Sequence, residues 1–431
     1  MKKLKYNIAI VGLGNIGINL YKHLLKNKKN IKKKTNSELI IKYVSAKNKF
    51  KNRNIKIPKN RWLKNYLEAS KKKDIDIVIE LIGGSDGAAK KLVFNSLKNK
   101  KHVVTANKSL ISKYGNELSK LAEKNKINLE FEAAVAGGVP IIRSIKEGLI
   151  TNNINKIYGI LNGTSNYILS KMSDSKMNFK DVLDRAKKFG YAESNPKSDL
   201  NGEDAKSKIQ ILSSLAFNSF INKSKIMVNG IEDVDQVDIS NAKVLGYKIK
   251  HLAIAEIKNN KLIQSVYPCL INKDSYIANI NGVLNAVIIE GNPIGKFTIQ
   301  GEGAGPGPTT SALVSDICSI LRGNIKLPFS IPNSNRKNIR SEDLSNEYFS
   351  SYIRLDVVDK TGVLSSITKI LSKNKVSVKR LIQNPFKSKK YSSIIIISHK
   401  AKNLNLVRSI SELSNKKFII NKPKFFRIEE I

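Results

Sequence analysis

Acidic side chains and a lysine crowd into one short segment of this chain. Glu193 and Asp199 stand in a loop-forming stretch, and Asp204 and Lys208 follow in a helical pattern, four residues apart. That spacing places both side chains on one helical face. A lysine near carboxylates keeps its charged form and can donate a proton, while the other acids can bind a cationic amine. A surface ion pair of little energetic value is the alternative, and the pattern leaves both open.

A glycine-rich turn follows the first apolar segment. Residues 5–11 predict a strand, and the run Gly12-Leu13-Gly14-Asn15-Ile16-Gly17 leads from it into a helical pattern. In such a turn the first glycine permits the tight bend, the second lets a pyrophosphate approach, and the third allows close helix packing. The free N–H groups of the helix attract phosphate. The pattern therefore predicts a dinucleotide site.

The end of the second predicted strand, residues 39–46, bears on the choice of cofactor. An acid at the carboxyl end of this strand binds a ribose hydroxyl, whereas a basic residue suits a 2′-phosphate. Glu38 lies at the wrong end of the strand, but Lys47 and Lys49 follow its carboxyl end. The sequence therefore favours NADP, with one of these lysines near the phosphate, and NAD is the alternative.

Strands and helices continue to alternate as far as residue 135. Strands are predicted at 75–81, 102–105 and 127–135, with helices and short connections between them, which indicates a parallel sheet. Lys108 stands just past the carboxyl end of one strand, where open α/β sheets bind their ligands. Position alone distinguishes it from the many other lysines.

Three further segments place small or polar residues before a helix. Residues 132–140 could hold a hard cation through backbone carbonyls and one carboxylate, although these residues favour a tight strand–helix crossover. Residues 162–166 predict a turn that caps the next helix. Residues 301–312 are too glycine-rich for a strand and suit close backbone approach to a ligand, with an interdomain hinge as the alternative.

Composition excludes several classes of protein. The chain has 431 residues, enough for two or three domains, and a hydrophobic fraction of 41% that excludes wholesale disorder. No apolar run approaches the ~20 residues of a membrane helix. The amino terminus lacks a signal core. Cys269 and Cys318 are far apart, so we expect neither a disulfide framework nor a cysteine zinc site. We expect a cytoplasmic protein.

The charge is strongly basic. Lysine and arginine total 76 against 35 aspartate and glutamate, a net charge of +41. Such a balance can indicate nucleic-acid binding. The basic residues are nevertheless dispersed in short clusters, and aromatic residues are not interleaved with them as in a strand-binding platform. We therefore expect no nucleic-acid or membrane partner.

The motifs, in their order along the chain, resemble those of homoserine dehydrogenase in its longer form, which carries a C-terminal regulatory domain. The resemblance covers about residues 5–330 and implies reversible NAD(P)H-dependent reduction of L-aspartate 4-semialdehyde to L-homoserine, towards threonine, methionine and isoleucine. The stretches that carry it are GLGNIG (12–17), TANK (105–108), EAAVAGGVPIIR (132–143), GILNGTSNYIL (159–169), GYAESNPKSDLNGEDAKSK (190–208) and GEGAGPGPTTSA (301–312).

The resemblance also implies roles for individual residues. Lys208 becomes the proton donor, and Lys108 contacts the cofactor and the reacting groups. The substrate is bound by Glu193 and Asp204, with Asp199 nearby. The other implied positions are the substrate-binding Gly163 and Thr164, the cofactor-binding Gly12, Leu13, Gly14, Asn15, Ile16, Gly17, Gly190, Gly303 and Gly305, and the sodium-binding Glu132, Val135, Gly137 and Val139.

The C-terminal part predicts a βαββαβ unit. Strands are predicted at 352–358, 376–382, 391–398 and near 418, with helices at 363–372 and 404–414. The stretch DKTGVLSSI (359–367) resembles an ACT domain, which in this family implies a module that senses L-threonine. A unit that serves only dimer contacts is the alternative.

We therefore expect an α/β protein of three domains. These are a Rossmann-type domain over 1–135, completed by 305–330, an α+β catalytic and dimerisation domain over 136–304, and an ACT domain over 350–431 after a linker at 331–349. A homodimer or tetramer is expected.

Two other functions are compatible with parts of the sequence and are disfavoured by the rest. Another ACT-tailed amino-acid-pathway dehydrogenase is disfavoured by the acid cluster and its lysine. A ligand-sensing or nucleic-acid-binding protein on a degenerate dehydrogenase scaffold is disfavoured because Lys208, Glu193, Asp204 and the fingerprint glycines occur together.

Overall fold

Strands and helices alternate from the first strand onwards in the computed structural model, which describes residues 4–175, 177–224, 226–385 and 390–431. The strands are β1 Lys5–Val11, β2 Glu38–Ser45, β3 Ile77–Glu80, β4 His102–Thr105, β5 Leu129–Glu130, β6 Asn153–Ile160, β7 Met227–Val228, β8 Tyr247–Lys258, β9 Lys261–Asn272, β10 Leu284–Asn292, β11 Gly295–Glu302, β12 Ser341–Glu342, β13 Tyr348–Val358, β14 Val378–Pro385, β15 Tyr391–Ser398, β16 Ala401–Lys402 and β17 Lys424–Glu429. The helices are α1 Asn15–Lys26, α2 Lys28–Thr35, α3 Glu68–Lys71, α4 Ala88–Lys98, α5 Lys108–Lys124, α6 Ile141–Arg143, α7 Gly163–Ser175, α8 Phe179–Lys188, α9 Lys197–Leu200, α10 Glu203–Ala216, α11 Gln236–Val244, α12 Pro306–Leu321, α13 Val363–Lys373 and α14 Asn403–Ser414.

The first sheet has five parallel strands in the order β2-β1-β3-β4-β5, which confirms the predicted Rossmann-type sheet. Its order reverses between β1 and β3, and the carboxyl ends of strands at such a reversal form the ligand crevice of open α/β sheets. Both the glycine fingerprint and Lys108 follow strands of this sheet at that edge.

The last strand of this sheet is shorter than its apolar pattern predicts. The prediction of a strand to residue 135 is wrong, because β5 ends at Glu130 and Glu132–Ala134 form a 3₁₀ turn. The backbone N–H of Glu132 donates to Asp316 Oδ2 on α12 at 3.0 Å, which draws the chain away from the sheet. Helix α12 itself packs against α1 and β4, with Leu313 and Ile317 buried in the same core cluster.

A second sheet runs through the rest of the molecule. Its central path is β11-β10-β6-β8-β9-β17-β13-β15-β14. Helix α10 packs on β6, β8 and β9, and its buried side includes Ile209, Ile211 and Leu212. The catalytic part and the C-terminal βαββαβ unit therefore share one sheet, joined where β17 pairs parallel with β9 at Arg427 and Cys269.

Two predictions for the C-terminal half need correction. The last strand is β17 rather than a strand near residue 418. The edge of β13 is occupied by β17 over Ser350–Arg354, so Ile419 reaches β13 only through a single bridge to Val357. The segment 331–349, predicted as a linker, contains β12 and lies against the body of the protein, with Arg336 buried.

The C-terminal unit docks on α11 through a buried ion-pair network. Arg354 of β13 contacts Asp238 at 2.7 Å, Asp235 at 2.5 Å and Asp356 at 3.1 Å. Asp238 also accepts a hydrogen bond from the Tyr352 hydroxyl at 2.9 Å. A guanidinium with three carboxylate partners fixes both distance and orientation, because its donors form a planar fork.

No helix in the described part of the chain is long and apolar enough to cross a membrane.

Candidate active site

The chemical centre of the molecule is a carboxylate held between two ammonium groups. Asp204 Oδ2 lies 2.8 Å from Lys208 Nζ, one turn along α10, and Asp204 Oδ1 lies 2.5 Å from Lys108 Nζ. The side chains of Asp204 and Lys208 are only 2% and 9% exposed. This pair is therefore buried, and its interpretation as a surface ion pair is wrong.

A glycine immediately before α10 determines where this helix begins. Gly202 precedes the helix in the left-handed region, with φ of 88°, a conformation that favours glycine. A Cβ at this position would lie 2.9 Å from a methyl of Val228 and 3.3 Å from one of Val266. The close approach seats the first turn of α10, and with it Asp204, against the second sheet.

Lys108 lies beside the first sheet. It is the first residue of α5, three residues after the end of β4, and Asn107 caps the helix by accepting from Leu110 N–H at 3.0 Å. The Asn107 amide also donates to the Gly84 carbonyl at 2.7 Å, which ties this turn to the end of the neighbouring strand. The ion pair between Lys108 and Asp204 thus joins the crevice edge of the first sheet to helix α10, which packs on the second sheet.

Asn162 organises the acids and was not predicted as a site residue. Its Nδ2 donates to Asp199 Oδ1 and to Asp204 Oδ2, both at 2.8 Å. Its Oδ1 accepts from Ser165 N–H at 2.8 Å, so the expected helix cap and the acid contacts share one side chain. Beside it, the Leu161 carbonyl accepts from Lys208 Nζ at 2.6 Å.

The remaining acids lie around this centre at different depths. Asp199 sits on α9, a one-turn helix within the stretch predicted as loop, so that prediction is wrong over residues 197–199. The Ser165 hydroxyl donates to the Asp199 carbonyl at 2.7 Å. Glu193 is exposed at the rim. Its loop is tied to the start of α7 because Thr164 Oγ1 donates to the Tyr191 carbonyl at 2.7 Å.

The electrostatics distinguish the two lysines. Burial, together with the charge of Lys108, lowers the pKa of Lys208 despite its contact with Asp204. Partial burial opposes protonation of Lys108, but the carboxylates of Asp204, Asp199 and Glu193 raise its pKa above the ordinary value. The site therefore offers one permanent positive charge and one ammonium that gives up its proton more readily.

The carboxylates are distinguished in the same way. Burial alone would raise the pKa of Asp204, but the two lysines hold it well below its usual range. Burial and the charge of Asp204 raise the pKa of Asp199. Asp204 thus keeps its negative charge. Asp199 has a raised pKa, so an additional cation nearby would favour its ionised form.

The glycine fingerprint shows why each of its glycines is needed. Gly12 has φ of 108°, and a Cβ there would lie 2.3 Å from the Leu81 carbonyl oxygen. A Cβ at Gly17 would lie 2.0 Å from the Gly12 carbonyl oxygen, whereas one at Gly14 would meet no atom within 4 Å. Gly12 and Gly17 are therefore required by packing, and Gly14 leaves the backbone of the turn open to a ligand.

Arg53 is a second residue that the sequence analysis missed. It lies beyond Lys47 and Lys49, which are exposed after β2. Its Nε donates to the Leu13 carbonyl at 3.1 Å and its Nη1 to the Lys51 carbonyl at 2.7 Å. One guanidinium therefore holds the loop after β2 against the fingerprint turn.

Two glycine loops pack against each other beside this crevice. A Cβ at Gly137 would lie 2.6 Å from the Gly303 carbonyl oxygen, and one at Gly303 would lie 2.1 Å from the Asn285 side chain. Gly305, with φ of 111°, precedes α12. The prediction that this loop is too glycine-rich for a strand is wrong at its start, since Gly301 pairs with Asn285 in the β10–β11 ladder.

The other residues predicted to bind cofactor or substrate lie at the ends of helices α1, α7 and α8. Leu13 precedes α1, and Asn15 and Ile16 begin it. Gly163 begins α7, where a Cβ would lie 2.6 Å from the Val283 carbonyl oxygen, and Gly190 has φ of 75° with open space around it.

Comparison with known proteins decides the family. Residues 140–318 match the profile of homoserine dehydrogenase, and residues 12–132 match that of the homoserine dehydrogenase NAD binding domain. The homoserine dehydrogenase of Neisseria gonorrhoeae is 38% identical over 402 residues, 91% of each chain. The chain belongs to the homoserine dehydrogenase family. It is accordingly an NAD(P)-dependent oxidoreductase.

Solved homoserine dehydrogenases extend the similarity to the whole chain. The crystal structure of the homoserine dehydrogenase from Thiobacillus denitrificans superimposes with a TM-score of 0.92 at 34% identity, covering 100% of this chain and 99% of that one. A hyperthermophilic archaeal homoserine dehydrogenase in complex with NADPH has a TM-score of 0.63 at 25% identity, covering 75% of this chain and 99% of that one.

The sequence carried a signal for one of the two missed residues. Asn162 is the second residue after β6, and a polar residue at the end of a buried strand is a candidate site residue in many enzymes. An asparagine at this position is also expected as a helix cap, and that role alone accounts for the residue type. Arg53 carried no such signal, because it is one of 76 basic residues and its partners are backbone carbonyls.

The fingerprint geometry predicts different outcomes for two glycine substitutions. Gly17→Ala forces a Cβ against the Gly12 carbonyl, so we expect a loss of about 1–3 kcal/mol in the free energy of unfolding and weaker NADPH binding. Gly14→Ala meets open space, so we expect unchanged stability with a Kd for NADPH raised about tenfold. Thermal melts and fluorescence titration with NADPH measure both quantities.

Gly148→Ala is the matched control, since a Cβ there also meets no atom within 4 Å and the residue lies outside the turn. Gly14→Ala with unchanged affinity for NADPH would contradict the assignment of the turn.

Proposed function

We propose that the side chains around Asp204 carry out the reversible reduction of L-aspartate 4-semialdehyde to L-homoserine. The observation that carries this proposal is the chain of ion pairs from Lys208 through the buried Asp204 to the partly exposed Lys108, which links the two sheets. Reduction of an aldehyde leaves negative charge on its oxygen, and a positioned ammonium both stabilises that charge and protonates it. When bound, NAD(P)H supplies the hydride.

Lys208 is the proton donor in this proposal. An ammonium has three N–H donors, and two of those of Lys208 point to the Leu161 carbonyl and Asp204. The third is available to the substrate oxygen. A lowered pKa suits a group that exchanges a proton, so Lys208 fits this role better than Lys108, which keeps its charge beside the cofactor.

The acids and the start of α7 bind the substrate. Its α-ammonium requires carboxylates, which Asp199, Asp204 and Glu193 supply. Its α-carboxylate requires donors, and the first residues of a helix present free N–H groups and a favourable dipole. Gly163 and Thr164 begin α7, beside Asp199. The α-carboxylate of the substrate would therefore lie at the helix start and its α-ammonium at the neighbouring acids.

A sodium ion fits the loop that contains Glu132, Val135, Gly137 and Val139. The Glu132 carboxylate is already used, since it accepts from Ile142 N–H at 2.9 Å and from Arg143 N–H at 2.8 Å. Backbone carbonyls are then the proposed ligands, and the left-handed φ of 47° at Gly137 marks a tight turn within this loop. Oxygen donors suit a hard cation.

Assays in sodium-free choline buffer test the sodium proposal. Activity that requires added sodium supports it, and full activity without sodium contradicts it.

The loss of Lys208 is expected to stop the chemical step. Lys208→Ala removes the general acid, whose usual contribution is about 10²–10⁴-fold, so kcat falls by that factor while the Kd for NADPH stays nearly unchanged. In the parent enzyme, reduction needs the ammonium and slows as the pH rises through the lowered pKa of Lys208. Oxidation of homoserine needs the neutral amine and speeds up over the same range.

Lys206→Ala is the matched control on the same helix, because Lys206 pairs with Glu203 at the surface. Steady-state kinetics in both directions are the measurement. A Lys208→Ala variant with normal kcat would end the assignment.

We further propose that NADP is the preferred cofactor, through Lys47 and Lys49 after β2. The NADPH complex of the archaeal relative supports the preference. Lys47→Glu and Lys49→Glu each place repulsion near a 2′-phosphate, so KM for NADPH is expected to rise about fivefold, the equivalent of ~1 kcal/mol for an exposed charge pair. KM for NADH stays nearly constant.

Lys98→Glu, exposed at the end of α4, is the control for net charge. The proposal is wrong when purified parent enzyme has a KM for NADH no higher than for NADPH.

The C-terminal unit is proposed to bind L-threonine and to act on the catalytic part of a homodimer or tetramer. Its shared sheet and the Arg354–Asp238 network support mechanical coupling. We expect L-threonine to change activity and to raise the melting temperature, because a ligand that binds only the folded state stabilises it.

D-threonine is the control ligand, and sedimentation measures the oligomeric state. The alternative, a unit that serves only dimer contacts, is favoured when L-threonine changes neither activity nor melting temperature.

A further inference from the structure

Arg336 is a buried guanidinium in the segment predicted as a linker. It is 5% exposed and lies between α5 and α10. Its Nη2 donates to Ser214 Oγ of α10 at 2.9 Å and to Asn116 Oδ1 of α5 at 3.0 Å. Its Nη1 donates to Ser119 Oγ of α5 at 3.1 Å, and its Nε and Nη2 donate to the Ser219 carbonyl at 3.2 and 2.9 Å. One side chain therefore bonds to both helices.

Aromatic rings and a glycine complete this junction. The guanidinium carbon lies 4.1 Å from the ring centroid of Phe329 and 4.6 Å from that of Phe220. On α5, a Cβ at Gly115 would lie 2.8 Å from Ile221 and 3.1 Å from Phe329. The helix thus has little room to move relative to the residues that follow α10.

The same two helices carry the proposed chemistry at their other ends. Lys108 is the first residue of α5, and Asp204 is the second of α10. At 1.5 Å of rise per residue, Ser119 lies ~16 Å along α5 from Lys108, and Ser214 lies ~15 Å along α10 from Asp204. The two helices also pack in one apolar core. Their polar connections lie near opposite ends, with the Lys108–Asp204 ion pair at one end and Arg336 at the other.

The chemistry of the junction indicates that Arg336 sets the relative orientation of α5 and α10, rather than merely holding the two helices together. The described hydrogen-bond partners of Arg336 are hydroxyl, amide and carbonyl oxygens, and burial lowers its pKa to about 10. Apolar side chains of similar volume often hold two helices as well as buried charges do, and without the desolvation cost. What the guanidinium adds is direction, because its donors lie in a rigid planar fork.

We propose that Arg336 is a positioning residue for hydride transfer, which fixes the angle between α5 and α10 so that Lys108 meets Asp204. The proposal rests on the role of Lys108 in the proposed function. The nicotinamide belongs to the crevice of the first sheet and the substrate to the second, so their relative position depends on how these helices are joined. A misplacement of about 1 Å can cost roughly 100-fold in rate.

The test is a double-mutant cycle between Arg336 and Lys108. Arg336→Lys keeps the charge and loses the fork, and we expect kcat to fall about tenfold or more with the Kd for NADPH within about twofold of the parent value. In the Lys108→Met background the same substitution should lower kcat no further, because the group that Arg336 aligns is gone. Arg340→Lys, exposed in the same segment, is the matched control and should keep parent kinetics.

Ser119→Ala provides a second variant that removes one acceptor from α5 without touching the charge. It should show a smaller loss of kcat that also disappears in the Lys108→Met background. This variant decides the question if Arg336→Lys does not fold.

The outcomes separate the two proposals. Normal kcat in folded Arg336→Lys overturns the inference, and so do losses that multiply with those of Lys108→Met, because Arg336 would then be merely structural. Normal kcat in Lys108→Met alone instead overturns the proposed role of Lys108.

Discussion

The structure depends most on one charged contact, the insertion of Asp204 between Lys208 and Lys108. Three charges share a site in which Asp204 and Lys208 are almost entirely removed from water. An isolated carboxylate there would be strongly destabilised, and removing one partner from a buried pair usually costs about 3–5 kcal/mol. This contact therefore links the two sheets, because Asp204 and Lys208 lie on α10, which packs on the second sheet, and Lys108 begins α5, which follows β4 of the first.

The same contact explains why two chemically identical side chains can have different tasks. Lys208 lies on the carboxylate's own helix, is buried, and has its pKa lowered. Lys108 reaches in from the crevice, stays partly exposed, and has its pKa raised by three carboxylates. Environment rather than residue type therefore shifts the pKa values of these two lysines in opposite directions.

Local patterns predicted much of this arrangement. The strand, glycine turn and helix around Gly12, Gly14 and Gly17 follow from backbone sterics that act over a few residues, and so does the spacing of Asp204 and Lys208. What could not be predicted depends on distant partners. The early end of β5 requires Asp316, far along the chain. The helix cap alone accounts for an asparagine at position 162. Its contacts with Asp199 and Asp204 depend on the fold, which brings both carboxylates to the same amide.

The C-terminal unit is constrained by its attachment to the same sheet on which α10 packs. β17 pairs with β9, and Arg354 holds Asp235 and Asp238 at the start of α11. Just before α11, the Ile231 N–H donates to the Leu200 carbonyl at 2.9 Å, one residue from Asp199. A rigid movement of the unit that kept the buried Arg354 paired would therefore carry α11 and the chain beside Asp199 with it. Because packed interfaces shift between discrete arrangements rather than deform continuously, a ligand bound far from the acids could alter substrate binding through these contacts alone.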